Sequence, residues 1–155
     1  MPAERFITRC IKVSNMEPIT LTYEVIDGEF QLVGEASSSV KKKLRMMGVG
    51  PDIIRRVAVA MYEGEVNMVI HAHGGTITVE ITPEQIKMIL DDVGPGIPDV
   101  DKAMSEGYST APEEIRNLGF GAGMGLPNMK KNTDTMDIDT RIGEGTKITM
   151  VIYIR

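Results

Sequence analysis

Residues 76–96, TITVEITPEQIKMILDDVGPG, contain the clearest secondary-structure pattern in the chain. Residues 76–82 alternate between apolar and polar side chains, many of them β-branched, which is the period of a half-buried strand. A Pro-Glu turn follows, and residues 86–92 form the predicted partner strand, which ends at a Gly-Pro-Gly sequence. The stretch therefore predicts two strands, the second of which ends in a carboxylate and a glycine-rich turn.

The sequence on both sides of these strands predicts helices and further strands. Pro51 opens a helix over 52–71, because proline is favoured at the first helical position and apolar residues then recur at helical spacing. The other predicted elements are strands at 5–13 and 19–26, helices at 36–47, 99–106 and 126–132, a loop at 107–122, and a closing hairpin of 135–142 and 146–154. This order predicts an α+β fold, a two-layer sandwich in which helices cover one face of a mixed, mostly antiparallel sheet.

Length and composition are those of a single globular domain. A chain of 155 residues with 42% apolar and 25% charged residues is long enough for one core, so we predict one domain over 1–155. The net charge of −5 gives no electrostatic footprint for nucleic acid. Cys10 is the only cysteine, and neither a signal peptide nor a membrane span is predicted. We therefore expect a cytoplasmic protein without an intrachain disulfide.

Two polar residues on the long predicted helix are candidates for chemistry. Glu63 and Asn67, within the sequence EGEVN, are four residues apart and so share one face of the helix. A carboxylate and an amide on a largely buried stripe need partners, because leaving them unpaired costs a few kcal/mol. The alternative is that they belong to the polar edge of the helix.

A second candidate lies at the end of the strand 86–92. In a strand of period two, Asp92 shares a side with the apolar residues that should face the helices. A carboxylate there can accept a hydrogen bond from an exocyclic amine such as that of adenine. Gly94 and Gly96 allow the backbone to run close to a ligand. The alternative is an ordinary strand-to-turn exit, where Asp and Gly are common.

A glycine run, residues 119–126 or GFGAGMGL, is the third candidate and precedes a predicted helix. Glycines ahead of a helix N-terminus free backbone N–H groups to face an anion, and the helix dipole adds to the attraction. The alternative is a flexible loop. The run fits no other phosphate motif, since the chain has no GxxxxGK[ST] sequence and no βαβ unit surrounds these glycines.

These motifs, taken in order, resemble those of a known superfamily of ATPases. The matching residues are Glu63 with Asn67, Asp92-x-Gly94-x-Gly96, Gly121-x-Gly123-x-Gly125-Leu126, and Gly145-Thr146. They resemble the N box, the first and second glycine boxes and the final Gly-Thr of gyrase, heat-shock protein 90, histidine kinases and the mismatch-repair ATPases. Within this superfamily the chain is most similar to the small anti-sigma factor and switch serine/threonine protein kinases of bacterial stress and sporulation signalling. The similarity covers an ATP-binding core at about 55–149 and is weak over 1–50.

The resemblance implies an ATP-binding fold of the Bergerat type with Mg²⁺ as a cofactor. It implies Glu63 as the general base and the segment 107–122 as a lid. It also implies that Asp92 reads the adenine amino group with support from Thr146, and that Asn67 binds Mg²⁺. The residues implied to bind the nucleotide are Asn67, Asp92, Gly94, Gly96, Gly121, Gly123, Gly125, Leu126 and Thr146.

The resemblance implies a protein partner and leaves its role open. In one reading the chain is a kinase that phosphorylates a Ser or Thr of a small regulatory protein of the anti-sigma antagonist type. In the alternative it is an anti-sigma module that sequesters a sigma factor or another regulator, with little catalysis. The catalytic lobe of a histidine kinase is disfavoured, because no dimerisation helix with a phospho-acceptor histidine precedes the domain. Whether the protein is a monomer or a homodimer is not determined by the sequence.

Overall fold

The computed structural model describes residues 17–108, 111, 113 and 124–155. The predicted strand 5–13 and most of the predicted loop 107–122 lie outside the described residues. The described elements are β1 (Ile19–Val25), α1 (Glu35–Met46), α2 (Pro51–His71), β2 (Gly75–Ile81), β3 (Gln85–Asp92), α3 (Val100–Ala103), α4 (Gly125–Lys131), β4 (Thr135–Arg141) and β5 (Gly145–Tyr153). A short 3-10 helix, Phe30–Leu32, precedes α1.

The five described strands form one sheet in the order β1-β2-β3-β5-β4. All four pairings among the described strands are antiparallel. The sequence had suggested a mixed, mostly antiparallel sheet, and the described part of the sheet is purely antiparallel. β5 lies between β3 and β4, and Asp91 near the end of β3 is opposite Lys147 near the start of β5. The sheet order therefore brings the end of β3 beside the start of β5, which are far apart in the sequence.

The helices pack on one face of this sheet, which confirms the predicted two-layer α+β sandwich. On β3 the alternating residues Ile86, Met88 and Leu90 are buried, as the period of the sequence predicted. They join the buried side chains of β2, β5, α1 and α2 in a single core. None of the helices in the described part of the chain has the length and apolar character that crossing a membrane requires.

The predicted helices are present with small differences in their bounds. Pro51 is the first residue of α2, as expected from the favoured position of proline. The helix predicted at 99–106 is shorter, since α3 ends at Ala103. The side chain of Asp99 caps α3 by accepting a hydrogen bond from the backbone N–H of Lys102.

At Gly64, α2 packs directly against a side chain of β3. A Cβ at this position would overlap Cδ2 of Leu90, a side chain that is 2% exposed. The absence of a side chain at residue 64 therefore sets the distance between the two layers.

We expect Gly64→Ala to destabilise the protein. Overpacking a core costs about 1–3 kcal/mol, which exceeds the gain of up to about 1 kcal/mol that alanine has over glycine inside a helix. The urea midpoint of unfolding should fall relative to the wild type. Gly50→Ala is the matched control, since a Cβ at residue 50 has no neighbour within 4 Å. Equal midpoints for the two variants would contradict the close contact at Gly64.

Candidate functional site

Asp92, the last residue of β3, has its carboxylate fixed by two backbone groups. The N–H of Gly94 and the N–H of Thr146 each donate to Oδ1, both at 3.0 Å. Asp92 is half-buried and lies on the helix-covered side of β3, as the sequence predicted. Within the described residues both of its hydrogen bonds end on Oδ1, so Oδ2 retains its capacity to accept a hydrogen bond from a ligand.

Gly94 and Gly96, which follow Asp92, are required by contacts inside the protein. A Cβ on Gly94 would lie 2.8 Å from Cα and Cβ of Ala72, the residue that ends α2. Gly96 has a φ of +81° and its Cβ would lie 2.6 Å from the carbonyl oxygen of Arg141. The sequence reasoning assigned these glycines to ligand approach, and the structure accounts for them by the packing of their turn against α2 and β4.

Two hydrogen bonds hold this turn on the β4–β5 hairpin. The N–H of Ile97 donates to Oγ1 of Thr140 at 2.8 Å, and the N–H of Gly143 donates to the carbonyl oxygen of Pro95 at 2.9 Å. The turn that follows Asp92 is thus connected to β4 as well as to α2.

Glu63 and Asn67 share a face of α2, and this face contacts α4. Nδ2 of Asn128 donates to Oε1 of Glu63 at 3.3 Å, and Nδ2 of Asn67 contacts Sδ of Met129 at 3.9 Å. A Cβ on Gly125, the first residue of α4, would lie 3.0 Å from Oδ1 of Asn67. The carboxylate and the amide identified in the sequence therefore lie against the helix that follows the glycine run.

Of the remaining predicted site residues, two are buried and two lie outside the described part of the chain. Gly121 and Gly123 lie outside the described residues. Leu126 is 8% exposed and belongs to the hydrophobic core, which gives it a packing role irrespective of any ligand. Thr146 is 5% exposed, and its hydroxyl pairs with that of Thr140 at 2.8 Å.

α2 connects the two groups of candidate residues. Asn67 contacts the start of α4, and Ala72, five residues later, contacts the turn after Asp92. Five residues of α-helix correspond to a rise of about 7.5 Å. The structure thus brings the turn after Asp92 and the start of α4 near one stretch of a single helix.

The two histidines near the end of α2 have separate surroundings. Burial lowers the pKa of His71, which keeps its side chain neutral at pH 7. Nδ1 of His73 lies 3.6 Å from Oδ2 of Asp27, and both side chains are largely exposed. Among the described residues no group of three or more His, Cys, Asp or Glu side chains could hold a metal ion.

Glu65 is a buried carboxylate that the sequence reasoning missed. It is 3% exposed, and its two oxygens accept hydrogen bonds from the N–H of Gly34 at 2.8 Å and of Ser37 at 2.7 Å. These are groups at the N-terminus of α1, so a residue of α2 caps another helix. The available signal was a second Glu in EGEVN, which falls on the face of α2 opposite Glu63.

A cavity of about 250 Å³ adjoins Glu65 between β1, the 3-10 helix, α1 and α2. None of the predicted site residues lines it. The cavity is therefore separate from the candidate site, and Glu65 belongs to the structural support of α1.

Comparison with known proteins places this geometry in a family. Residues 26–152 match the family model described as the histidine kinase-like ATPase domain. The chain is 33% identical over 113 residues to the serine/threonine-protein kinase RsbT of Bacillus subtilis, covering 70% of this chain and 79% of the relative. It is 35% identical over 106 residues to the anti-sigma F factor of Caldanaerobacter subterraneus, covering 65% of this chain and 71% of the relative.

Two solved structures have a similar fold. The mycobacterial sensor histidine kinase MprB is 18% identical with a TM-score of 0.51, and the match covers 88% of this chain and 99% of that one. A chain of the SiaB–SiaC complex from Pseudomonas aeruginosa is 11% identical with a TM-score of 0.60, with coverages of 90% and 92%. At these identities the structures bear on the fold alone. From the family model and the curated relatives, the chain belongs to the histidine kinase-like ATPase domain family.

Proposed function

We propose that this chain is an ATP-dependent protein kinase that transfers the γ-phosphate of ATP to a Ser or Thr of a small regulatory protein. The proposal is carried by the geometry of Asp92. Its carboxylate is fixed through Oδ1 and keeps Oδ2 for a ligand. Asp92 lies beside α2, the helix that carries Glu63 and Asn67. The similarity to a serine/threonine-protein kinase and to anti-sigma F factors supports the choice of reaction and of partner class.

ATP binding follows from the family, and Asp92 supplies the recognition of its base. Oδ2 accepts a hydrogen bond from the exocyclic amino group of adenine, while Thr146 beside it supports the ring. Because the two backbone N–H groups orient the carboxylate before the nucleotide arrives, little side-chain entropy is lost on binding.

Mg²⁺ is the second proposed cofactor, and the amide oxygen of Asn67 near α4 is a suitable ligand for it. Oδ1 of Asn67 is a neutral oxygen ligand of the kind that this hard cation accepts together with phosphate oxygens and water. Gly125 leaves space in front of this oxygen, since any Cβ there would lie 3.0 Å from it. When bound, Mg²⁺ would neutralise charge on the phosphates.

We expect Gly125→Ala to weaken the binding of ATP in the presence of Mg²⁺ by about tenfold, equal to about 1.4 kcal/mol. The added Cβ would displace the Asn67 side chain from its present position, because Oδ1, Nδ2 and Cγ all lie within 3.4 Å of it. Isothermal titration with and without Mg²⁺ measures the effect, and Gly50→Ala serves as the control. A Gly125→Ala protein that binds ATP with wild-type affinity in Mg²⁺ would contradict the role of Asn67.

Glu63 is the proposed general base. The partner hydroxyl oxygen attacks the γ-phosphorus, the bond to the β–γ bridging oxygen breaks, ADP leaves, and the hydroxyl proton passes to the Glu63 carboxylate. The hydrogen bond from Asn128 to Oε1 orients this carboxylate and leaves Oε2 to take the proton. Phosphoryl transfer depends mainly on positioning and charge, so Glu63 acts together with the groups that hold the phosphates.

A second function, sequestration of a regulator with little catalysis, is favoured by the similarity to anti-sigma F factors. Transfer of label from γ-³²P-ATP to a purified candidate partner separates the two functions. Label on a Ser or Thr of the partner supports the kinase, and a stable unlabelled complex supports sequestration. A protein that neither binds ATP nor forms a complex would exclude both.

A further inference from the structure

α2 and α4 meet in two contacts that lie about one helical turn apart. Glu63 and Asn67 are separated by one turn of α2, and Asn128 and Gly125 by about one turn of α4. Nδ2 of Asn128 donates to Oε1 of Glu63 at 3.3 Å, and a Cβ on Gly125 would lie 3.0 Å from Oδ1 of Asn67. One short helix, α4, therefore borders both the proposed general base and the proposed metal ligand.

The backbone of Asn128 is held on both sides. Its N–H donates to the carbonyl oxygen of Met124 at 2.9 Å, and its own carbonyl oxygen accepts a hydrogen bond from Nδ2 of Asn132 at 2.8 Å. The adjacent Met129 is 0% exposed and belongs to the hydrophobic core. At the end of α4, Nε of Arg56 on α2 donates to the carbonyl oxygen of Asn132 at 3.1 Å. The Asn128 amide is thus carried by a helix that hydrogen bonds and core packing hold against α2.

The Glu63 carboxylate depends on this amide for its orientation. Glu63 is half-buried, and among the described residues Asn128 is the only group that donates a hydrogen bond to it. The amide must present Nδ2, since its oxygen would repel the carboxylate. An ionised acceptor strengthens such a hydrogen bond, and bonds to catalytic groups that are long without substrate tighten in the complex. Without the amide, the long glutamate side chain would spread over several rotamers.

We propose that Asn128 is a positioning residue that fixes the Glu63 carboxylate to α4 and so accelerates the chemical step without contributing to the affinity for ATP. This inference rests on the proposed function, since it concerns the same reaction. While Oε1 is held by Asn128, Oε2 takes the hydroxyl proton as the partner oxygen bonds to the γ-phosphorus and the bond to the bridging oxygen breaks. A base held in one orientation reacts faster than one that must first find it.

The test is single-turnover transfer from γ-³²P-ATP to the partner protein that the wild type labels. Asn128→Leu has a similar size and cannot donate a hydrogen bond. We expect it to lower the transfer rate by about tenfold, the value of one hydrogen bond to a charged group, and to leave the dissociation constant for ATP unchanged. Asn132→Leu is the matched control, because it removes a hydrogen bond to the backbone of α4 without contact to Glu63. Its transfer rate should equal that of the wild type.

A double-mutant cycle with Glu63→Gln separates positioning from a purely structural role. The amide in Glu63→Gln cannot take a proton, so its orientation no longer affects the rate. Adding Asn128→Leu should then cause no further loss of transfer. A loss that persists undiminished in the Glu63→Gln background would overturn the inference, and so would transfer by Asn128→Leu at the wild-type rate. A wild type that labels no partner would instead refute the proposed function.

Asn128→Asp provides a second route, should Asn128→Leu fail to fold. It keeps the size of the side chain but sets a second carboxylate against Glu63, so we expect transfer to fall by at least about tenfold. Combined with Glu63→Gln, the glutamine amide donates to the introduced carboxylate and the hydrogen bond returns with its polarity reversed. The combined variant should have the wild-type urea midpoint and yet transfer no faster than Glu63→Gln alone. Wild-type transfer by Asn128→Asp would contradict the role of Asn128.

Discussion

Asp92→Asn is expected to raise the dissociation constant for ATP by about 100-fold or more, equal to about 3 kcal/mol. The asparagine Oδ1 can still accept the N–H groups of Gly94 and Thr146, so the end of β3 keeps its local structure. Nδ2 then replaces Oδ2 and directs a donor at the donor amino group of adenine. The substitution thus removes an acceptor and adds a repulsive contact at the same position. Isothermal titration with ATP measures the loss.

Asp91→Asn is the matched control for this prediction. The neighbouring carboxylate is exposed and points to the other face of the sheet, so the substitution makes the same change in charge away from the site. Its ATP affinity should equal that of the wild type. If Asp92→Asn and Asp91→Asn bound ATP equally well, Asp92 would have no part in reading the base.

Glu63→Gln is expected to reduce phosphoryl transfer by about 10²–10⁴-fold, the usual contribution of a general base. The amide keeps the size of the side chain and can still accept the hydrogen bond from Asn128, but it cannot take a proton. The dissociation constant for ATP should stay close to that of the wild type. Single-turnover transfer from γ-³²P-ATP to the partner, with nucleotide affinity measured in parallel, checks both halves of the prediction.

Asp52→Asn provides the comparison on the same helix. Asp52 lies in the first turn of α2, is largely exposed, and pairs with Arg55, so its loss should leave transfer unchanged. Transfer by Glu63→Gln at the wild-type rate would show that another group accepts the proton. A parallel loss of ATP binding would instead give Glu63 a role in holding the nucleotide.

Much of the fold follows from local periodicity. The alternation in 76–92 predicted β2, β3 and the buried side of each strand, and Pro51 marked the start of α2. These features depend on which neighbouring residues are apolar, and this information is contained in a short stretch of chain. The same reasoning put Asp92 on the helix-covered face and put Glu63 beside Asn67.

The structural roles of several residues could not be predicted from the sequence. Gly94 and Gly96 read as ligand-facing glycines, yet their missing side chains make room for Ala72 and for the carbonyl of Arg141. Glu65 has no distinguishing pattern in the sequence, yet it caps α1. Each of these roles depends on an atom more than 20 residues away in the chain, which no local pattern records.

The sequence by itself determined the elements, their order and the chemical groups available to a nucleotide. Only the tertiary structure decided how those groups are oriented, because β5 enters the sheet between β3 and β4. That insertion joins the backbone of Thr146 to Asp92 and pairs its hydroxyl with Thr140. Periodicity reports which side of an element is buried, whereas hydrogen bonds between distant strands depend on the pairing of the whole sheet.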